Sequence, residues 1–242
     1  MKIEGIKALI FDLGGTLYRP ATDMCGLTRE FLIDLEVAEA SYISDSDIIE
    51  ATKGPDEWLD TYMIENKVDM HWEPNTEVWI EYDRLLLESF GINDIEIVKE
   101  YQAKWEAYLE TANPELIEGC KLCLEKLHER GFSLGVASNR FGNPSETLRK
   151  DSILHLFDAV EYSAVPGYRK PSPYLLIKVA QRLGVNPHGC AYVGNIAKYD
   201  AEAAIRAEMV PILITWIDPH EDGTLTTDAV IIEHIEDLLE IL

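Results

Sequence analysis

The chain has 242 residues, 47% hydrophobic and 27% charged, enough to bury a core as one large domain or as a domain with an insert. Its formal net charge of −23 argues against nucleic acid and anionic membrane surfaces as partners, since both need a basic footprint. No apolar run approaches the roughly 18 residues of a bilayer-spanning helix, and the N-terminus lacks the long apolar segment and small-residue cleavage site of an export signal, so a cytoplasmic location is expected.

The first predicted element is the apolar run from Ile6 to Phe11, which leads into Asp12 and the pair Gly14-Gly15. An apolar run stopped by glycine suits a strand buried on both faces of a parallel sheet. The glycines let the backbone turn sharply and approach a ligand closely. From about Thr22 to Glu110 the pattern becomes helical. Leu27, Phe31, Leu32 and Leu35 mark one helix. Ile48 and Ile49, then Trp58, Leu59, Tyr62 and Met63, predict two more, broken near Gly54-Pro55. Val78 to Phe90 predicts a longer helix stopped by Gly91, and Val98 to Leu109 another, ending near Asn113-Pro114. Trp58, Trp72, Trp79 and Trp105 all lie in this stretch, as expected for a small helical core with its own aromatic packing.

After Pro114 an α/β rhythm sets in. Helices are expected over Glu115–Arg130, Pro144–Lys150, Pro173–Leu183, Lys198–Ala207 and His234–Leu242. Strands are expected over Phe132–Ala137, Phe157–Tyr162, Cys190–Val193, Val210–Ile214 and Ala229–Ile232. Alternation of this kind predicts an α/β fold with a Rossmann-like, doubly wound parallel sheet, its strand C-termini gathered on one ligand-binding edge. The expected organisation is a core of residues 1–21 and 112–242 with an inserted all-helical domain of residues 22–111. Cys25, Cys120, Cys123 and Cys190 include one CxxC, on a helical pattern with no second pair, and read as packed thiols rather than as a zinc site. The six histidines are scattered, with no HxH or HExxH.

Four short segments fall at predicted strand ends or in the loops that follow: Phe11-Asp12-Leu13-Gly14-Gly15-Thr16-Leu17, Val136-Ala137-Ser138-Asn139-Arg140, Arg169-Lys170-Pro171-Ser172-Pro173, and Tyr192-Val193-Gly194-Asn195 with Asp200. Each alone is ordinary strand-to-loop chemistry; their order, spacing and shared sheet edge form a specific signal. Together they resemble the haloacid dehalogenase-like hydrolases. The resemblance spans Lys2 to Tyr18 and the chain from Pro114 towards the C-terminus, and the helical stretch stands where many members carry a helical cap.

The resemblance implies a phosphatase acting on a small phosphorylated metabolite. Asp12 would attack phosphorus to give an aspartyl-phosphate that water then hydrolyses. Ser138 and Asn139 would lie at the phosphate, Lys170 would hold positive charge against Asp12 and the phosphoryl group, and Mg²⁺ would be held by Asp12, the carbonyl of Gly14, Asn195 and Asp200. Two positions depart from the usual pattern. Gly14 stands where phosphatases of the family usually carry a second aspartate that serves as general acid and base, and Asn195 replaces another aspartate, which removes charge from the metal site. These departures leave two rivals in place: a metal-independent, dehalogenase-like hydrolase that attacks carbon, and a catalytically degenerate module that binds a phospho-ligand without turnover.

Overall fold

The computed structural model describes residues 2–19, 23–38, 40–217 and 229–242. The chain forms two compact units, Met1–Pro20 with Pro114–Leu242, and Ala21–Asn113. The sequence-based boundary at residues 21–22 and the histidine at 220 lie outside the described residues.

The first unit is built on a parallel sheet of six strands in the order β3-β2-β1-β4-β5-β6. Its central strand β1 (Ala8–Phe11) pairs with β2 (Ser133–Ser138) on one side and β4 (Cys190–Gly194) on the other. Beyond them lie β3 (Ala159–Tyr162) on one flank and β5 (Val210–Ile214) and β6 (Val230–Ile232) on the other. Alternation along the strands divides the apolar residues between two faces. Leu9, Phe11, Leu134, Val136, Ala191, Val193, Ile212 and Ile214 share one core with Leu124 and Leu127 of α5 (Cys120–Glu129) and Leu238 of α9 (Leu238–Ile241). Helix α7 (Tyr174–Leu183) packs on β1, β2 and β3, so close that a Cβ on Gly135 would lie 2.4 Å from Cγ1 of Val179. The α/β, Rossmann-like doubly wound sheet expected from the strand–helix rhythm is the fold of this unit. The chain leaves β1 towards β2 and β3 on one side and places β4, β5 and β6 on the other. That reversal puts the C-terminal end of β1 at the sheet's switch point, the position at which such sheets bind ligands.

Three predicted elements differ in detail. Residues 115–117 are not helical: Arg19 N–H donates to the Glu115 carbonyl at 2.9 Å and Ile117 N–H to the Leu17 carbonyl at 2.9 Å. This pairing with the loop after β1 delays α5 to Cys120. The segment predicted as a helix from Lys198 begins as a wide turn of π type over Ala197–Ala201 and becomes α8 only at Glu202–Arg206. The widened turn carries Asp200 inward. The predicted break at Gly54-Pro55 is absent, because α2 runs without interruption over Asp45–Glu65. Proline inside a helix costs about 3 kcal/mol through its missing N–H and ring clash. Here Ile48, Pro55, Leu59 and Met63 form one buried stripe across the proline, and their burial offsets that cost.

The second unit contains α1 (Met24–Asp34), α2, α3 (Thr76–Glu88) and α4 (Ile95–Thr111). Leu27, Phe31, Leu32, Leu86, Leu87, Val98 and Tyr101 form its core. Phe31 meets Trp105 edge to face at 5.1 Å and Tyr101 at 6.2 Å, so this tryptophan serves packing. Asp83 on α3 is buried at 4% exposure with Oδ2 lacking a hydrogen-bond partner, and burial pushes its carboxyl up to about 8. Among the described residues, no helix is long and apolar enough to cross a membrane.

Candidate active site

The candidate residues gather where the strands end. Asp12 follows β1 directly, its N–H donating to the Val193 carbonyl at 2.9 Å, so the ladder to β4 continues one residue beyond the strand. Ser138 closes β2, Gly194 closes β4, and Asn195 follows. Lys170 lies in the loop between β3 and α7, and Asp200 in the widened turn before α8.

Lys170 joins them. Its Nζ is 2.8 Å from Oδ1 of Asp12 and 2.7 Å from Oδ1 of Asp200, and it donates to the Tyr192 hydroxyl at 2.7 Å. Lys170 and Asp200 are each 2% exposed and Asp12 8%. Oδ1 of Asp12 has this cation beside it and no other hydrogen-bond partner. The other oxygen of Asp200 accepts the N–H groups of Asn195 and Ile196, each at 2.9 Å. A buried ammonium between two carboxylates leaves one net negative charge, and removing the cation alone would leave two uncompensated carboxylates.

Burial pushes the Asp12 carboxyl above the usual carboxylate range; Lys170 pulls it back and Asp200 adds to the rise. For Lys170, burial by itself disfavours the charge, but Asp12 and Asp200 together outweigh it and hold the ammonium above the ordinary lysine value. The lysine is therefore a fixed positive charge.

The loop after β1 is wound tightly. The Leu13 carbonyl accepts the N–H groups of Thr16, Leu17 and Tyr18 at 3.2, 2.9 and 2.8 Å, and Gly15 N–H donates to the Tyr18 carbonyl at 2.7 Å. Gly15 has a φ of +76°, and a Cβ there would stand 2.4 Å from Nδ2 of Asn195, so only glycine fits. Gly14 is the opposite case: it is exposed, and a Cβ there would meet nothing within 4 Å. Asn195 is held by Thr16, whose hydroxyl donates to Oδ1 at 3.3 Å. Asn139 engages the Lys170 main chain at both ends, with Lys170 N–H donating to Oδ1 at 2.7 Å and Nδ2 donating to the Lys170 carbonyl at 2.8 Å.

Sequence patterns missed three contributors: Thr16, Tyr192, and Trp216, whose indole N–H donates to the Gly15 carbonyl at 2.8 Å. Tyr192 carried a usable signal, since a tyrosine inside an otherwise apolar buried strand must find a partner for its hydroxyl. Trp216 carried none, being 201 residues from Gly15. The thiols of Cys120, Cys123 and Cys190 are buried and that of Cys25 half-buried, and all are free. Burial pushes Cys123 up to about 12 and Cys190 up to about 11, far from nucleophilic thiolates.

The site thus holds a buried carboxylate at a strand end, a fixed cation beside it and all-oxygen donors around it. It can direct a carboxylate nucleophile at an electrophile that bears negative charge. A family model described as haloacid dehalogenase-like hydrolase matches residues 6–208. The glyceraldehyde 3-phosphate phosphatase of Methanopyrus kandleri is 40% identical over 92 residues, a match that takes in 38% of this chain and 40% of that relative. The phosphoglycolate phosphatase of Aliivibrio fischeri is 25% identical over 224 residues, covering 88% of this chain and 86% of its own. Among solved structures, a predicted phosphoglycolate phosphatase from Haemophilus somnus 129pt superposes with a TM-score of 0.67 at 18% identity, covering 99% of each chain. A 2-haloacid dehalogenase from Pseudomonas syringae pv. tomato gives 0.61 at 20% identity, covering 98% of this chain and 97% of its own.

Proposed function

Because the chain belongs to the haloacid dehalogenase-like hydrolases, we propose that it hydrolyses a small phosphorylated metabolite, with Asp12 as the nucleophile. The observation that carries this reading is the Asp12–Lys170–Asp200 cluster: a buried carboxylate at the sheet's switch point, 2.8 Å from a lysine whose charge two carboxylates favour.

In the proposed reaction, an Asp12 carboxylate oxygen forms a bond to phosphorus as the bond to the leaving oxygen breaks. The resulting aspartyl-phosphate is then cleaved by water, which splits one hard step into two easier ones. Lys170 stabilises charge on the phosphoryl oxygens, and Asp200 fixes where that charge sits. Ser138, at the end of β2, donates to a phosphoryl oxygen. Asn139 contributes to phosphate binding through its two-point clamp on Lys170.

The donors suit a hard cation such as Mg²⁺, since all are oxygens and Oδ1 of Asp12 has no partner besides Lys170. Asp12, the Gly14 carbonyl and Asn195 would hold it. Asp200, with three acceptor positions already used, would reach it through a remaining lone pair. When bound, the cation neutralises phosphate charge. Among the described residues no group of three or more His, Cys, Asp or Glu is placed to hold a metal, so affinity rests on two carboxylates and neutral oxygens. The helical unit, Ala21–Asn113, is assigned the role of the cap that selects substrate.

The test is hydrolysis of an activated aryl phosphate with Mg²⁺ or with chelator, for the native chain and Asp12→Asn. Mg²⁺-dependent turnover abolished by the substitution is expected. Turnover unchanged in Asp12→Asn refutes the mechanism. The exposed Gly14 and uncharged Asn195 keep the carbon-attacking reading as the rival, and halide release from a 2-haloacid in chelator would favour it instead.

A further inference from the structure

We infer that Tyr192 is a positioning residue for the reaction proposed above, fixing the Lys170 ammonium against the end of β2. The observation is a hydroxyl used in both directions. Tyr192 accepts from Nζ of Lys170 at 2.7 Å and donates to the Ala137 carbonyl at 2.8 Å. Its single proton is committed to Ala137, so its lone pairs face the ammonium. Ala137 immediately precedes Ser138. One hydroxyl therefore ties the charged end of the β3–α7 loop to the strand end that carries Ser138.

The side chain is built for this task. Tyr192 is 1% exposed, sits opposite Ile10 in the β1–β4 pairing, and lies among apolar strand residues where a phenylalanine would serve packing equally well. Burial holds its hydroxyl far from ionisation, so it remains a neutral, oriented dipole over any working pH. Asp12 and Asp200 attract Lys170 but do not fix its distance from β2. Among the described residues, Tyr192 is the side-chain contact from Nζ that leads on to that strand, and Asn139 performs the matching task on the lysine's main chain. A phosphoryl group held by Ser138 and Lys170 together needs that spacing constant, because misplacement of a charge-stabilising group costs rate more than affinity.

The experiment is Tyr192→Phe, which removes one oxygen and keeps the ring, assayed across pH with an aryl phosphate. Loss of a hydrogen bond to a charged group predicts a fall in kcat of about tenfold to a hundredfold, with KM held within about twofold. Native kcat overturns the inference. So does a loss of kcat/KM carried by a raised KM with kcat unchanged, which marks a packing defect. The ammonium proton signal of Lys170, assigned with Lys170→Met, gives a readout independent of turnover: a hydrogen bond from Nζ to the Tyr192 hydroxyl slows exchange of those protons with water. Faster exchange in Tyr192→Phe at one fixed pH supports the anchoring of the ammonium even if the native chain hydrolyses no phosphate, which would sink the phosphatase reading alone; unchanged exchange refutes it. If the phenylalanine variant does not fold, site-specific 3-fluorotyrosine keeps the shape and weakens the acceptor, and the same faster exchange is required.

Discussion

Restoring a carboxylate at Gly14 should turn a site that favours good leaving groups into one that accepts poor ones. An alkyl phosphate expels an alkoxide that needs a proton, whereas an activated aryl phosphate expels a stable phenolate. Position 14 is where phosphatases of the family usually carry that proton donor, and here it has no side chain. The geometry permits the change: Gly14 is exposed, its φ is outside the left-handed region, and a Cβ there meets nothing within 4 Å. Replacing glycine where the backbone is compatible is itself mildly stabilising, by about 0.4–1 kcal/mol, so Gly14→Asp is expected to fold. General acid–base catalysis contributes about 10²–10⁴-fold, equivalent to roughly 3–5 kcal/mol off the barrier. The assay is kcat/KM for aryl phosphates of graded leaving-group pKa and for an alkyl phosphate, in the native chain, Gly14→Asp and Gly14→Asn. The aspartate should raise alkyl phosphate turnover by that factor and activated aryl turnover by less than about tenfold, while the isosteric asparagine should do neither. Gly15→Asp serves as the steric control and should lose stability, since its Cβ would lie 2.4 Å from Asn195 at a φ of +76°. Native turnover of alkyl and activated aryl phosphates at similar rates, or a ratio unchanged by Gly14→Asp, would refute the reasoning.

Three further outcomes follow from the buried charges. Asp12→Asn leaves Lys170 paired with Asp200 and should melt at or above the native temperature while losing turnover; Lys170→Met leaves two buried carboxylates without their cation and should cost about 3–5 kcal/mol. Equal destabilisation by both would contradict this charge arrangement, and thermal melts decide it. The attacking form of Asp12 is the anion, and its pKa is raised by burial, so the acid limb of kcat/KM should lie above the ordinary carboxylate range, with the alkaline limb above the ordinary lysine value. Asp83 binds its proton up to about pH 8 in the folded chain, while the unfolded chain releases it near ~3.9. The native state then holds the extra proton across that window, so stability must fall as pH rises through it and level off above. Asp83→Asn should remove that slope; urea midpoints at pH 5 and pH 8 that fall equally in both proteins would show that Asp83 is not its source.

The α/β class was legible in the sequence because parallel strands buried on both faces must be short apolar runs, and β1, β2 and β4 end on or directly before aspartate, serine and glycine. The order of the motif residues was legible for the same reason, since strand ends and their loops supply the site in any such sheet. Contacts set by distant segments were not. Pro55 reads as a helix break until its burial with Ile48, Leu59 and Met63 is known, and Leu116 and Ile117 look helical until they are seen paired with the loop after β1. Asn139 and Lys170, 31 residues apart, meet only when the loop after β3 folds back over the end of β2. The difference between the adjacent glycines is also tertiary: Gly15 lies against Asn195 across the β1–β4 pair, while Gly14 faces open space. Local periodicity reports which face of an element is buried, but a partner reached across the sheet leaves no periodic trace, so the connections of Tyr192, Thr16 and Trp216 emerged only from the folded chain.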